Sequence, residues 1–255
     1  MTTFQIVLVV VLLFAGMLSF LELGLRLGRR AAEGAGKAFS PLLGAVFALM
    51  GLLIAFTFSG ASTRFEAKRL LIVAETNAIE TAYLRIDLLP PDAQARQRES
   101  FRQYLDARLA FYQKIGDYSD SAKIEMDRAK ALQHEIWSHA VNACREGCPP
   151  PTAAFILASL NTMIDITTTR AVALQTHPPG IVFVLLALVP MICSLLAGYD
   201  ASGKARSWIH TLGFALILTI TIYIILDYEY PRAGFFVRLD ATDQVLVNLR
   251  QSMNH

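Results

Sequence analysis

The chain is 255 residues long, 54% hydrophobic and only 17% charged, with a mean hydropathy of +0.43. That is too apolar for a soluble domain of this length and requires several membrane spans. A net charge of +2 excludes a polyelectrolyte binder, so nucleic acid is not an expected partner, and three scattered cysteines exclude a disulfide framework.

Taken in chain order, four segments are long and apolar enough to cross a bilayer core, which needs about 20 residues. The first runs from Phe4 to Leu27, with only Glu22 and Arg26 near its end. It lacks the basic start of a cleavable signal and its apolar core is too long for one, so it is expected as an uncleaved span. The second runs from Ala38 to Gly60 and carries no charge. The third covers Gly180 to Tyr199 and the fourth Trp208 to Leu226, with Trp208, Tyr199, Tyr228 and Tyr230 at span ends, where amphipathic rings favour the headgroup layer.

Between the second and third spans the pattern is helical throughout. Phe65, Ile72, Ile79 and Ile86 recur every seven residues, with Thr76 and Tyr83 at the alternate seam positions. Pro90 and Pro91 stop that helix and Asp92 is the expected N-cap of the next, whose face carries Phe101, Leu105, Arg108 and Tyr112 as far as Gly116. A third helix starts near Ser119 or Asp120 and carries Ile124, Leu132, Ile136 and Ala140. After "CREGCPPPT" a fourth is expected from a cap at Thr152 to about Gln175, and "THPPG" then leads into the third span. No strand pattern longer than a few residues occurs.

The fold class that follows is all-α: a polytopic membrane protein with four transmembrane helices and a helical-bundle insert between the second and third. Its expected domains are 1–60 (transmembrane helices 1 and 2), 61–179 (soluble insert), 180–230 (transmembrane helices 3 and 4) and 231–255 (amphipathic C-terminal tail). At the junction "AFTFSGASTRFEAKRLL" no proline intervenes, and Gly60 costs about 1 kcal/mol without ending a helix. Phe58, Phe65, Ile72 and Ile79 hold their spacing across it, so one helix of about fifty residues is expected to run from lipid into water. A short loop at Ser59 to Ser62 is the alternative.

"FTFSGASTRFEAKRLLIV" resembles the junction of bestrophins, through Phe56, Ala61, Arg64, Phe65, Glu66, Ala67, Lys68 and Leu70. "TAYLRIDLLP", "MIDITTTR", "THPP" and "LDYEYPR" resemble the bacterial bestrophin-like membrane proteins, a family of largely unassigned function, over nearly the whole chain. There is one residue fewer between Arg64 and Glu66 than in the bestrophin pattern, and the basic N-terminal segment of bestrophins has no counterpart. The resemblance implies a pentameric ion channel, its partners being the lipid bilayer, further copies of itself and inorganic ions. It also implies a second span that narrows the pore with apolar side chains one turn apart, here Ala48, Leu52 and Phe56, or Ile54 and Phe58 in a shifted register. Such a ring gates by dewetting. Packing against the other spans or lipid is the plainer reading of the same residues.

Four spans without intramembrane charge cannot enclose a path alone, so a pore demands a symmetric oligomer. Gly44, Ala45, Ala48, Gly51 and Ala55 would let helices of one or several subunits approach closely. The alternative function is a membrane-anchored sensor or scaffold whose insert binds a ligand or partner, with no pore.

Other polar groups carry weaker expectations. Glu75, Asn77 and Glu80 on the first insert helix and Asn161, Asp165 and Arg170 on the fourth form an inward network if those helices pack, with Arg170 neutralising a carboxylate. Asp227, Glu229, Asp240 and Asp243 follow the last span, where animal bestrophins bind calcium. Their spacing matches no EF-hand loop, and solvated charges with a helix cap at Asp240 explain them more simply, so no cofactor is expected and calcium is the lesser reading. Cys144, Cys148 and His139 do not complete a zinc site, and a local disulfide or free thiols both stand open. Cys193 is read as packing and His177 as a hinge residue. No phosphate loop, nucleophile elbow or His-Glu metal motif is present, so no enzyme is expected.

The location is expected to be the cell (inner) membrane, multi-pass. Arg26, Arg29, Arg30 and Lys37 after the first span, with Lys204 and Arg206 after the third, place the insert on the non-cytoplasmic side by the positive-inside rule. The bestrophin layout, and Arg64, Lys68 and Arg69, favour the opposite side.

Overall fold

The structure, a computed structural model, describes residues 1–30, 40–114, 120–203 and 208–254. Among them it holds eight α-helices and no strand: α1 (Thr3–Arg30), α2 (Ser40–Leu84), α3 (Pro91–Lys114), α4 (Asp120–Gly147), α5 (Pro150–Gln175), α6 (Gly180–Asp200), α7 (Trp208–Glu229) and α8 (Asp240–Ser252). Four stretches, in α1, α2, α6 and α7, are long and apolar enough to cross a membrane. The protein is a four-span, all-α membrane protein.

The chain forms two compact units, Met1–Phe65 with His177–Val237, and Glu66–Thr176 with Arg238–His255. α2 is unbroken through the junction, for 45 residues, before a short 3-10 turn at Arg85–Leu88. Gly60 is tolerated inside it because no proline removes a backbone donor and the flanking turns keep their hydrogen bonds.

In the first unit α1 packs along α6 and α7. Ile6, Leu13 and Met17 of α1 meet Cys193 of α6 and Leu218 and Ile222 of α7 in one buried cluster. The close approach is made by glycines of α1 and α6. A Cβ on Gly24 would stand 2.0 Å from the Leu195 carbonyl oxygen, and one on Gly198 would stand 2.1 Å from that of Leu21. Backbones in such contact gain dispersion that any side chain would forfeit. Gly198→Val is therefore expected to lower the thermal midpoint of the detergent-solubilised protein by about 5 °C or more, at an overpacking cost of about 1–3 kcal/mol. Gly213→Ala, where a Cβ would meet nothing within 4 Å, should leave that midpoint unchanged. The small residues of α2 do not serve this purpose within the chain: Gly44 and Gly51 also face open space.

The second unit has its core where the heptad placed it: Ile72 and Ile79 are at 0% exposure, as are Phe101 and Leu105 of α3 and Ile136 of α4. Three details differ from expectation. α3 begins at Pro91, so Asp92 lies in its first turn and is not the cap. α5 begins at Pro150, with Pro149 rather than Thr152 at the cap position, because consecutive prolines preset helical φ where no donor is needed. Ile124 is 64% exposed and lies off the buried face of α4.

The tail also divides differently. Its residues from Arg238 join the second unit, because Leu246 and Leu249 of α8 are buried and Arg250 pairs with Asp106 of α3 at 2.7 Å. Cys144 and Cys148 are free thiols, and burial pushes Cys144 up to about 12. The expectations that fall on Lys37, Gly116, Ser119, Lys204, Arg206 and the Asp240 side chain lie outside the described residues.

Candidate functional site

The membrane half of α2 stands apart from the other spans. Between Leu43 and Gly60 only Met50 is buried. Phe47 packs edge-on against Phe214 of α7, and Ile54 is partly buried against the clusters formed by α1, α6 and α7. One face therefore meets the other spans and the remainder does not. Leu49, Leu52 and Phe56 are 60%, 52% and 69% exposed, and Ala48 is exposed on the same face. At about 100° per residue these four share one stripe. Of the shifted register, Ile54 packs inward and Phe58 meets the Tyr228 ring edge-on at 5.5 Å. Gly44, Gly51 and Ala55, all exposed, make a second stripe roughly a quarter turn round the helix from Leu52 and Phe56.

The junction residues fix α2 to the end of α7. Arg64 donates from Nε to Glu229 Oε2 at 2.9 Å, with Nη2 at the same distance, and His177 Nδ1 lies 2.8 Å from Glu229 Oε1. Glu229 is 1% exposed, so a cation beside it offsets its lost hydration. Phe65 is edge-on to Tyr228 at 5.4 Å, and His177 stacks on Tyr230. Glu66 is exposed and pairs with the exposed Arg69 at 3.5 Å.

In the second unit the structure brings Glu75 and Arg170 together, and adds Arg108, Tyr112 and Asp243, which sequence reasoning did not place in this network. Glu75 Oε1 accepts from Arg108 Nε at 2.7 Å and Nη2 at 2.6 Å. Its Oε2 accepts from Tyr112 Oη at 2.9 Å and from Arg170 Nη1. Arg170 continues to Asp243 Oδ1 at 3.0 Å, and its guanidinium carbon lies 3.5 Å from the Tyr112 ring centroid. Burial alone would push the Glu75 carboxyl up, but the two arginines beside it hold it below its ordinary value. Burial and Glu75 together push Tyr112 well up. Asn77, Glu80, Asn161 and Asp165 are exposed and outside this cluster, because they lie on the opposite sides of α2 and α5. Arg108 carried a readable signal: a guanidinium on the face of Phe101, Leu105 and Tyr112 must find an acid when buried.

Asp227, Glu229 and Asp243 are occupied by protein donors. Asp227, fully buried, accepts from the backbone N–H groups of Phe235, Phe236 and Val237 at 2.7, 3.0 and 2.7 Å. Glu229 holds Arg64, and Asp243 holds Arg170. Among the described residues no group of three or more His, Cys, Asp or Glu side chains is arranged to hold a metal ion.

A family model described as Bestrophin-like domain matches residues 7–237. The crystal structure of a bacterial bestrophin homologue from Klebsiella pneumoniae, in a point-mutant form, is similar with a TM-score of 0.73 and 12% identity. The match covers 96% of this chain and 98% of that one, and at that identity it shows the fold. No curated protein matches the sequence.

Proposed function

We propose that the chain, which belongs to the Bestrophin-like family, is one subunit of a homo-oligomeric ion channel lined by the membrane half of α2. The carrying observation is that this helix has a single buried residue between Leu43 and Gly60, while α1, α6 and α7 bury theirs against one another. Lipid alone would cover such a face, but lipid does not call for glycine. The stripe of Gly44, Gly51 and Ala55 suits the close approach of a neighbouring copy's helix. Packing copies along that stripe turns the adjacent one, with Ala48, Leu52 and Phe56, toward a shared axis. Rotational closure gives a ring, a pentamer by the family resemblance. Water and ions then pass an apolar neck whose hydration governs conduction.

The test is direct. Purified protein in planar bilayers should pass discrete currents. A folded, homogeneous oligomer that stays silent across voltage and pH overturns the reading.

A further inference from the structure

The polar cluster of the second unit is not closed on itself. Arg108 is 2% exposed and turns Nε and Nη2 toward Glu75 and Tyr112. Its Nη1 faces the other way. Among the described residues the acceptor it meets is the Met126 thioether, Sδ at 3.8 Å. A thioether is a weak acceptor, and a buried charged donor left with one carries much of its desolvation cost uncompensated.

Arg108 and Met126 both line a cleft of about 350 Å³ formed by α3, α4 and α5. The walls alternate in character: Met126, Ala129 and Ala171 are apolar, while Gln133 and Thr168 are polar. Lys130, largely exposed and 3.8 Å from the exposed Asp127 carboxylate, stands at the rim, and no carboxylate lines the space itself. Gln133 is held in place by its own bonds, donating from Nε2 to Tyr104 Oη at 3.1 Å and Thr167 Oγ1 at 3.4 Å.

We propose that this cleft binds a small organic monocarboxylate, its carboxylate on Arg108 Nη1 and its short apolar tail against Met126, Ala129 and Ala171. Arg108 Nη1, a charged donor that meets only a thioether among the described residues, with Lys130 at the rim and no carboxylate in the lining, favours a negatively charged acceptor. The same lack of an acid disfavours an α-amino acid, whose ammonium would go unpaired. The size falls within the usual range for small-ligand sites, about 300–1,000 Å³. The site lies within one unit of one chain and does not depend on conduction, so binding and current are separable readouts.

Butyrate is the probe, with butyramide as its neutral isostere and chloride as the inorganic anion, titrated calorimetrically into the full-length protein in detergent. Butyrate should bind saturably, at least tenfold tighter than either comparator. Ala171→Phe, which fills the cleft and leaves every polar group of the Glu75 cluster in place, should abolish binding while elution and thermal midpoint stay those of the parent. Arg108→Gln should weaken binding tenfold or more; if that variant fails to fold, Ala171→Phe decides the matter alone. No saturable binding by the parent overturns the site, as does butyrate binding that survives Ala171→Phe. Equal binding of chloride and butyrate overturns the assignment to organic acids.

Discussion

Replacing Glu75 by Gln should be the most destabilising single change in the second unit, at about 3–5 kcal/mol, the usual result of removing one partner from a buried ion network. Glu75 is fully buried and is the acceptor shared by Arg108, Arg170 and Tyr112. The amide keeps the shape but loses the charge, and it presents donors where donors already converge. Arg170 retains Asp243 at 3.0 Å, whereas Arg108 retains only Tyr112 and a thioether, so Arg108 carries most of the damage. Removing both members separates the two effects. Glu75→Leu combined with Arg108→Leu should recover much of the stability lost in Glu75→Leu alone. The thermal midpoint should fall by on the order of 10 °C in the single variant. The pH dependence has a definite sign. A carboxyl held below its ordinary value of 4.5 contributes stability that is present above that pH and is lost as the pH falls through its depressed folded-state value. Acid should thus destabilise the parent below pH 4.5, and Glu75→Gln should show a flatter acid limb in melts from pH 3 to 7.

The parts of this molecule that sequence revealed are those whose physics is local. Ile72, Ile79 and Ile86 announce a buried helical seam because only a helix brings a seven-residue repeat to one face. The uninterrupted α2 follows from the lack of any residue able to stop it. What stayed hidden depends on partners distant in the chain. The close contacts of Gly24 with the Leu195 backbone and of Gly198 with the Leu21 backbone require knowing that α1 lies against α6, and a glycine in α2 looks the same on paper. Asp227 reads as one acid among several after the last span. Its role comes from three backbone N–H groups, which nearly every residue possesses, so no residue type betrays them. Arg170 found Glu75 across 95 residues because both are charges on otherwise apolar faces, whereas Asn77, Glu80, Asn161 and Asp165 had no such need and stayed in solvent.

If the α2 stripe lines a shared axis, Phe56→Ala should raise single-channel conductance on the order of tenfold, equivalent to removing about 1.4 kcal/mol of barrier. Phe56 is the most exposed large side chain of the membrane half of α2, at 69%. In a ring of copies each benzyl group would border a narrow water column, and an apolar constriction excludes water more strongly as it narrows. Truncation to a methyl group widens and wets it at once. Leu52→Ala, one turn away and 52% exposed, should act in the same direction with a smaller effect. Ile54→Ala provides the contrast: its side chain packs into the clusters of the other spans, so it should cost stability and leave conductance near the parent value. Phe58 is also a control, since its ring is engaged by Tyr228 at 5.5 Å. Conductance that responds to Ile54 and Phe58 but not to Leu52 and Phe56 would rotate the helix and replace this neck by the other register. Conductance that responds to none of the four would remove both apolar registers of α2 from the ion path.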